Sequence, residues 1–383
     1  MVNSQPTILP GQTVGILGGG QLGRMLAMAA RRHGYRVAVF TPEDRSPASH
    51  FANGVTRASF DDLNALKQFA DQVDVITFEF ENVPVDPLRS IENSCLLRPG
   101  LDVFETVRSR ANEKTFLAQH GISCAPFCVV TNHDELITSV AEVPLPAVLK
   151  LSGGGYDGKG QVIVRHADEL LAAWHALGKQ PATIESLIDL ACEISVLVCR
   201  DRWGGCEAFG PIENHHTHHI LDWSLVPARI SPSVHDQAIE ISRTVAEKLD
   251  LVGLICVEFF VDRSGTVMVN EIAPRPHNSG HLTIEATFNS QFDQQLRTIC
   301  GLPVVPFGRQ QPAAMANLLG DAWQGGTPDW GAASRFGNVK LHLYDKSDPV
   351  PGRKMGHLTS TGEMAEQALA DVLAARTSLT ERV

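Results

Sequence analysis

The chain has 383 residues, of which 43% are hydrophobic, and a formal net charge of −11. Its length suits two or three domains with separate cores, and it is too apolar to be disordered. The acidic balance argues against a duplex nucleic-acid partner, which needs a broad basic face, so any anionic substrate must meet a local cluster of cations.

Thr13–Leu17 reads as a short strand, followed by the turn Gly18-Gly19-Gly20-Gln21-Leu22-Gly23 and a helix from about Arg24 to His33. Tyr35–Phe40 and Asp74–Phe78 read as further strands, the latter running into Glu79-Phe80-Glu81-Asn82. This alternation predicts an α/β unit with a doubly wound parallel sheet, ending near Pro99-Gly100. A helix from about Val103 to Gln119, stopped by His120-Gly121, opens a second unit. There Ala147–Leu151 and Gln161–Arg165 form a hairpin around the glycine-rich tip Ser152–Gly160. Ala167–Leu177 reads as a helix, Ala182–Ser186 and Glu193–Cys199 as strands, and Glu213–His219 as a histidine-rich loop. Pro232–Asp250 is an amphipathic helix, an acid-bearing hairpin follows, and Phe292–Cys300 closes the unit. A third unit from about Gly301 holds strands near Ala313–Leu318 and Asn338–Tyr344, a basic turn Lys346–His357 and a helix near Glu363–Arg376.

The eight cysteines are scattered, and only Cys124 and Cys128 lie close, with no second pair to complete a zinc site. Reduced thiols and a cytoplasmic location are expected. Met1–Gln12 has no signal-peptide pattern, and the longest apolar run, Leu251–Val261, contains Glu258 and is too short to span a bilayer, so no membrane partner is expected.

The hairpin carries the strongest chemical signal. Glu258, in Val257-Glu258-Phe259-Phe260-Val261-Asp262, and Glu271, in Asn270-Glu271-Ile272-Ala273-Pro274-Arg275-Pro276-His277-Asn278-Ser279-Gly280-His281, fall on neighbouring strands. Two carboxylates so placed can hold Mg²⁺ against a nucleotide triphosphate, because Mg²⁺ takes hard oxygen ligands and shares them with phosphate. Arg275 and His277 follow at once and can receive a small anion. Lys150-Leu151-Ser152-Gly153-Gly154-Gly155-Tyr156-Asp157-Gly158-Lys159-Gly160-Gln161 combines a cation at a strand end with a glycine-rich flap suited to phosphates, and it is not a Walker sequence. Glu185-Ser186-Leu187-Ile188 offers backbone to an adenine edge, and Glu193 offers an acceptor to ribose hydroxyls.

Two patterns admit rival readings. Gly18-x-Gly20-x-x-Gly23 matches the dinucleotide fingerprint, yet Val39-Phe40-Thr41-Pro42 ends its strand without an acid for a ribose diol. What remains is a glycine turn whose amides face a phosphate or another polar ligand. The run Asn214-His215-His216-Thr217-His218-His219 lacks carboxylates or cysteines at ligand spacing, which favours a phosphate-side histidine over zinc. Lys346, Arg353 and Lys354, framed by glycine and proline in an acidic chain, form a candidate phosphomonoester site.

Taken together, these segments resemble the ATP-grasp ligases and, among them, the N5-carboxyaminoimidazole ribonucleotide synthetases. Gly18–Met25, Thr77–Val83, Gly154–Gln161, Asn270–His281 and Pro351-Gly352-Arg353-Lys354-Met355-Gly356-His357 carry the likeness. The resemblance implies an ATP-grasp fold with an N-terminal preATP-grasp (Rossmann-like) domain over 1–110, an ATP-grasp domain over 111–300 with a lid at about 145–207, and a small C-terminal domain over 301–383. It implies ATP and Mg²⁺ as cofactors and a homodimer. The implied reaction, in purine (IMP) biosynthesis, is carboxylation of 5-aminoimidazole ribonucleotide with bicarbonate through carboxyphosphate. By matching positions, Arg110, Lys150, Gly155, Tyr156, Asp157, Gly158, Lys159, Gly160, Gln161, Glu185, Ser186, Leu187, Ile188, Glu193, His216, Asn270 and Glu271 would contact ATP. Glu258 and Glu271 would hold Mg²⁺. Gln21, Leu22, Glu79, Lys346 and Arg353 would bind the ribonucleotide. Arg275, His277 and Lys354 would surround bicarbonate, with Tyr156 and Asp157 approaching the same point and Asn278 beside the amine. Family members often carry Arg where this chain has Ser152. A formate-dependent glycinamide ribonucleotide transformylase is a close alternative, and a nicotinamide-dependent reductase is one of another class.

Overall fold

The structure, a computed structural model, describes residues 6–153 and 160–380. Its first sheet is parallel, in the order β3-β2-β1-β4, with β1 (Thr13–Leu17), β2 (Arg36–Thr41), β3 (Gly54–Arg57) and β4 (Val75–Phe78). Both faces of the inner strands are covered, which is why β1, β2 and β4 are largely apolar while the edge strand β3 is not. Val14 and Ile16 pack on Met25 and Leu26 of α1 (Gln21–Arg32) and on Phe292 and Leu296 of the helix Gln291–Ile299. Leu17, Phe40 and Phe78 face the other way, against Leu66 and Phe69 of α2 (Leu63–Ala70), Leu88 of α3 (Val85–Arg89) and Phe104 of α4 (Leu101–Arg108). The strand order reverses beside β1, so the turn after β1 and the end of β4 meet at the crevice where such sheets bind ligands.

The single helix expected over Val103–Gln119 is two. Ser109 leaves helical geometry (φ −103°, ψ 119°), and its hydroxyl accepts from the Asn112 amide to start α5 (Arg110–Gln119). The break turns Arg110, Glu113 and Lys114 inward from a new first turn.

A second, antiparallel sheet runs β5-β8-β6-β7, from β5 (Phe127–Val130), β6 (Ala147–Leu151), β7 (Gln161–Val164) and β8 (Ala182–Ser186). Val130, Leu149 and Ile184 pack on Leu136 of α6 (His133–Thr138) and on Leu170 and Trp174 of α7 (Leu170–Ala176). The pairing of β6 with β7 brackets 152–160, as the glycine-rich hairpin predicts.

The third sheet has eight antiparallel strands in the order β13-β12-β9-β10-β11-β14-β16-β15. These are β9 (Leu190–Arg200), β10 (Cys206–Thr217), β11 (Ile220–Val226), β12 (Gly253–Asp262), β13 (Val267–Ala273), β14 (Ala313–Leu319), β15 (Val339–Leu343) and β16 (Lys354–Thr361). Alternate residues of β9 divide the core. Ile194, Val196 and Val198 pack under α8 (Pro232–Lys248), while Leu197 and Cys199 join Leu282 and Phe307 on the opposite face. Two expectations are corrected here. The histidine-rich segment is strand, not loop: Asn214 to Thr217 end β10, and His218 and His219 alone form the turn, both at positive φ (51° and 65°). A two-residue turn of that hand suits the twist of the flanking strands. The strands from Ala313 onward extend the same sheet through β11–β14 pairing. The basic segment 346–357 is a turn only as far as Arg353, after which Lys354 opens β16.

Candidate active site

β12 and β13 pair so that Glu258 stands directly opposite Glu271, with a register irregularity after Glu258. Glu258 is 9% exposed, and its Oε1 lies 2.8 Å from His277 Nε2. Burial works against its charge, but His277, His216 and Arg275 outweigh burial and hold the carboxyl well below the usual range. Glu271 is more open, with Arg110 Nη2 3.3 Å from Oε2. The two are hard oxygen donors at one position, which fits Mg²⁺. Among the described residues no group of three or more His, Cys, Asp or Glu is placed to hold a metal. The ion would therefore complete its shell from phosphate and water, as Mg²⁺ does at nucleotide sites.

Both carboxylates line a cleft of about 400 Å³. On its anion side stand Arg275, His277, Asn278 and Lys354. Arg275 donates through Nε to Glu81. Burial opposes the charge on Arg275, and Glu81 overcomes it, so the guanidinium is firmly positive. Two pulls meet at His277. Burial disfavours its charge while Cys256 and Glu258 favour a positive ring and push its pKa up. The Ser279 backbone N–H, however, donates to Nδ1 at 3.3 Å, which requires a lone pair there.

The nucleotide side of the cleft is lined by Arg110, Lys150, Gly160, Gln161, Ser186, Leu187, Ile188, Glu193, His216 and Asn270, with Val148, Ile163, Leu190, Leu221 and Phe260 giving apolar surface for a base. His216 Nδ1 is 3.1 Å from Glu193 Oε2. Glu185 does not line the cleft. Its carboxylate is 1% exposed and serves as a hub, with Lys150 Nζ at 3.0 Å, Lys114 Nζ at 3.6 Å and Arg110 Nη1 at 3.7 Å. Lys114, fully buried, also donates to the carbonyls of Val269 (3.2 Å) and Asn270 (2.8 Å), and Glu113 accepts from the Ile272 amide. The first turn of α5 thus clamps the strand that carries Glu271. Sequence reasoning missed Glu81, Glu113 and Lys114. The adjacent charges Glu113-Lys114 near the start of an otherwise ordinary helix are the only signal that could have found the last two.

The glycine turn is corrected in one respect. The Gly20 and Gly23 amides are not free for a phosphate, because Glu79 at the end of β4 accepts from both. Gly18 must be glycine there: its φ is +106°, and a Cβ would lie 2.3 Å from Glu79 Cγ. Among the described residues nothing accepts from the Gln21 or Leu22 amides. The Leu22 side chain packs in the core, so only its backbone can face a ligand. Lys346 stands near Glu79. Burial, reinforced by Arg353, lowers its pKa to about 8 against the pull of Glu79. Arg353 Nη1 donates to the Asp348 carbonyl at 3.1 Å. Gln21, Leu22, Glu79, Lys346 and Arg353 lie outside the lining of the main cleft. The expected roles of Gly155, Tyr156, Asp157, Gly158 and Lys159 fall outside the described residues.

A carboxylate pair on adjacent antiparallel strands, facing a basic strand end on a separate four-stranded sheet, belongs to an ATP-grasp enzyme. Family models agree in chain order: ribonucleotide synthetase preATP-grasp domain over 11–107, ATP-grasp domain over 115–292, and phosphoribosylaminoimidazole carboxylase C-terminal domain over 313–371. The chain is 43% identical over 359 residues to the N5-carboxyaminoimidazole ribonucleotide synthase of Brucella melitensis, covering 92% of this chain and 97% of that one. To the enzyme of that name from Bacillus subtilis it is 37% identical, covering 96% of each. Its fold matches the Staphylococcus aureus N5-carboxyaminoimidazole synthetase complexed with ADP at a TM-score of 0.91, with 33% identity over 98% of this chain and 100% of that one. It matches the Aspergillus clavatus synthase in complex with ADP and 5-aminoimidazole ribonucleotide at 0.87, with 31% identity over 96% and 98%. The chain belongs to the N5-carboxyaminoimidazole ribonucleotide synthase family.

Proposed function

We propose that the chain joins bicarbonate to the exocyclic amine of 5-aminoimidazole ribonucleotide, converting ATP to ADP and phosphate, as a step of purine biosynthesis. The observation that carries this reading is one cleft lined by the register-paired Glu258 and Glu271, by Arg275, His277 and Lys354, and by Arg110 and Lys150. A triphosphate and a small anion can be held there side by side.

In this reading Lys150 and Arg110 bind phosphates, the backbone of Ser186–Ile188 meets the base, and Glu193 with His216 holds the ribose. Glu258 and Glu271 would hold Mg²⁺, which when bound neutralises charge on the phosphates. Arg275, His277 and Lys354 orient bicarbonate so that one oxygen takes the γ-phosphoryl group as the bond to ADP breaks. The carboxyphosphate so formed loses phosphate to give CO₂. The amine nitrogen then forms the new C–N bond and gives up a proton. Exclusion of water matters because carboxyphosphate hydrolyses readily. Asn278, a neutral residue of the cleft lining whose buried amide atoms have no partner among the described residues, would orient the amine. Glu79, the Gln21 and Leu22 amides, Lys346 and Arg353 would receive the ribonucleotide. The same reading carries a cytoplasmic homodimer with domains over 1–110, 111–300 and 301–383. No described helix is long and apolar enough to cross a membrane.

Phosphate release from ATP tests the proposal. It should require bicarbonate and aminoimidazole ribonucleotide together. Turnover with formate and glycinamide ribonucleotide instead would transfer the chain to the transformylase reaction.

A further inference from the structure

The helix Gln291–Ile299 belongs to the second unit in sequence, yet side chains fix it to the first. Its N-cap Ser290 and Asp293 cap each other, and Asp293 also accepts from Arg32 and from His33 (3.0 Å) at the end of α1. At the far end of the helix the carbonyls of Thr298 and Ile299 accept from Arg98 Nη1 (3.2 and 3.0 Å). Between these points Gln295 Nε2 donates to Thr77 Oγ1 on β4 (2.9 Å), two residues before Glu79, which holds the glycine turn. Gln295 and Thr77 are fully buried.

Four residues earlier, and so on the same face of the helix, Gln291 holds the turn that carries the anion-site residues. Its Oε1 accepts from the His277 N–H and its Nε2 donates to the His277 carbonyl, both at 2.8 Å, while Nε2 lies 3.1 Å from His281 Nδ1. One side-chain amide thus exchanges both hydrogen bonds with one backbone residue, as a residue of a paired strand does. Gly280 has to be glycine for this approach, because a Cβ there would overlap Gln291 Oε1. The Gln291 N–H donates to Thr283 Oγ1 (3.0 Å), and the Thr283 hydroxyl donates to the Gly280 carbonyl (2.6 Å), which closes the turn onto the helix. A second link joins the same two segments. Glu81, four residues after Thr77, accepts from Arg275, two residues before His277.

We propose that Gln291 and Gln295 are positioning residues, and that their helix is a spacer: it sets the amine of the ribonucleotide, in the crevice beside β4, within bonding distance of the carbon held at the anion-site turn. The inference rests on the proposed carboxylation for its purpose. Both glutamines are fully buried and neither lines the cleft, so they act through Thr77 and through the backbone of His277. Carboxyphosphate, and the CO₂ it yields, is lost to water when the amine is out of reach, so the spacing governs how much of the released phosphate is matched by product. Buried glutamines with a merely structural role would govern stability alone.

The test measures two quantities side by side in the full chain at saturating substrates: phosphate released from ATP, and bicarbonate carbon fixed on the ribonucleotide. The unmodified chain should match each phosphate with a fixed carbon. Thr77→Val combined with Gln295→Met removes both partners of one buried bond at nearly constant shape, so the thermal midpoint should stay close to that of the unmodified chain. Phosphate release should persist, while the carbon fixed per phosphate falls about two- to tenfold, the effect of one hydrogen bond. Gln291→Glu is the second variant, and it stands alone should the paired variant not fold. It keeps an acceptor for the His277 N–H and loses the donor to the His277 carbonyl, so the KM for bicarbonate should rise by a similar factor while that for ATP holds. An unchanged ratio of carbon to phosphate in the paired variant, or KM values for bicarbonate and ATP that rise together in Gln291→Glu, overturns the proposal. A failure of the carboxylation reading looks different: the unmodified chain itself would release no phosphate in response to bicarbonate and the ribonucleotide, and the spacer role would fall with that reading.

Discussion

Raising the pH from 7 to 9 should weaken capture of the ribonucleotide about tenfold, with Lys346 as the cause. Burial, with Arg353 beside it, holds the Lys346 pKa at about 8. A lysine so tuned is about nine-tenths charged at pH 7 and about one-tenth charged at pH 9. A phosphomonoester binds the charged form, so affinity is full below pH 8 and lost above it. A charge-assisted hydrogen bond contributes about 1.5–3 kcal/mol. Lys346→Ala at pH 7 should therefore raise the KM for the ribonucleotide by about 10- to 150-fold and leave that for ATP nearly unchanged. Lys346→Arg keeps its charge throughout and should flatten the profile. The assay is kcat/KM for the ribonucleotide at saturating ATP across this range, which reports groups of the free enzyme. An equally deep fall in Lys346→Arg, or an unchanged ribonucleotide KM in Lys346→Ala, would refute both the phosphate role and the tuning.

Two further outcomes follow from the cleft. Glu271→Gln should lose at least about two orders of magnitude of turnover while the thermal midpoint holds, since the side chain is 43% exposed and carries little of the fold; appreciable turnover with Mg²⁺ would remove Glu271 from the metal pair. Lys114→Met leaves Glu185 and two strand carbonyls short of a buried partner, and urea unfolding should register a loss of about 3–5 kcal/mol; a change under about 1 kcal/mol would mean that Arg110 and Lys150 suffice for Glu185.

What the sequence made legible was local. Glu258 and Glu271 flank a short hairpin turn, so the alternation of the two strands alone places them together. The glycine turn was legible as a turn, but its occupant was not: Glu79 lies 59 residues from Gly20, and only the parallel pairing of β1 with β4 brings its carboxylate to those amides. The Glu185 hub was hidden for the same reason, with Lys114 and Arg110 arriving from α5 and Lys150 from β6. The histidine run was misread because polar residues in sequence suggest a loop, whereas here Glu213 and Asn214 are buried against Arg229 and Ser195 in a central strand.

The continuity of the large sheet explains how the two halves of the chemistry keep their spacing. Glu271, Glu258, Glu193, His216, Leu221 and Lys354 sit on β13, β12, β9, β10, β11 and β16, all in one hydrogen-bonded sheet. Lys354 belongs to the C-terminal part of the chain, yet it is registered to the carboxylate pair through strand pairing and not through docking of a separate domain. A small error in the distance between the γ-phosphate and the acceptor anion is costly for phosphoryl transfer, which depends chiefly on positioning. Lys150, Gln161 and Ser186 come instead from the separate four-stranded sheet. Glu185 of that sheet forms ion pairs with Arg110 and Lys114 of α5. The metal pair, the ribose end of the nucleotide site and Lys354 thus belong to a single sheet, and Lys150 on the other sheet is tied to α5 through Glu185, by charges that ATP phosphates can compete for.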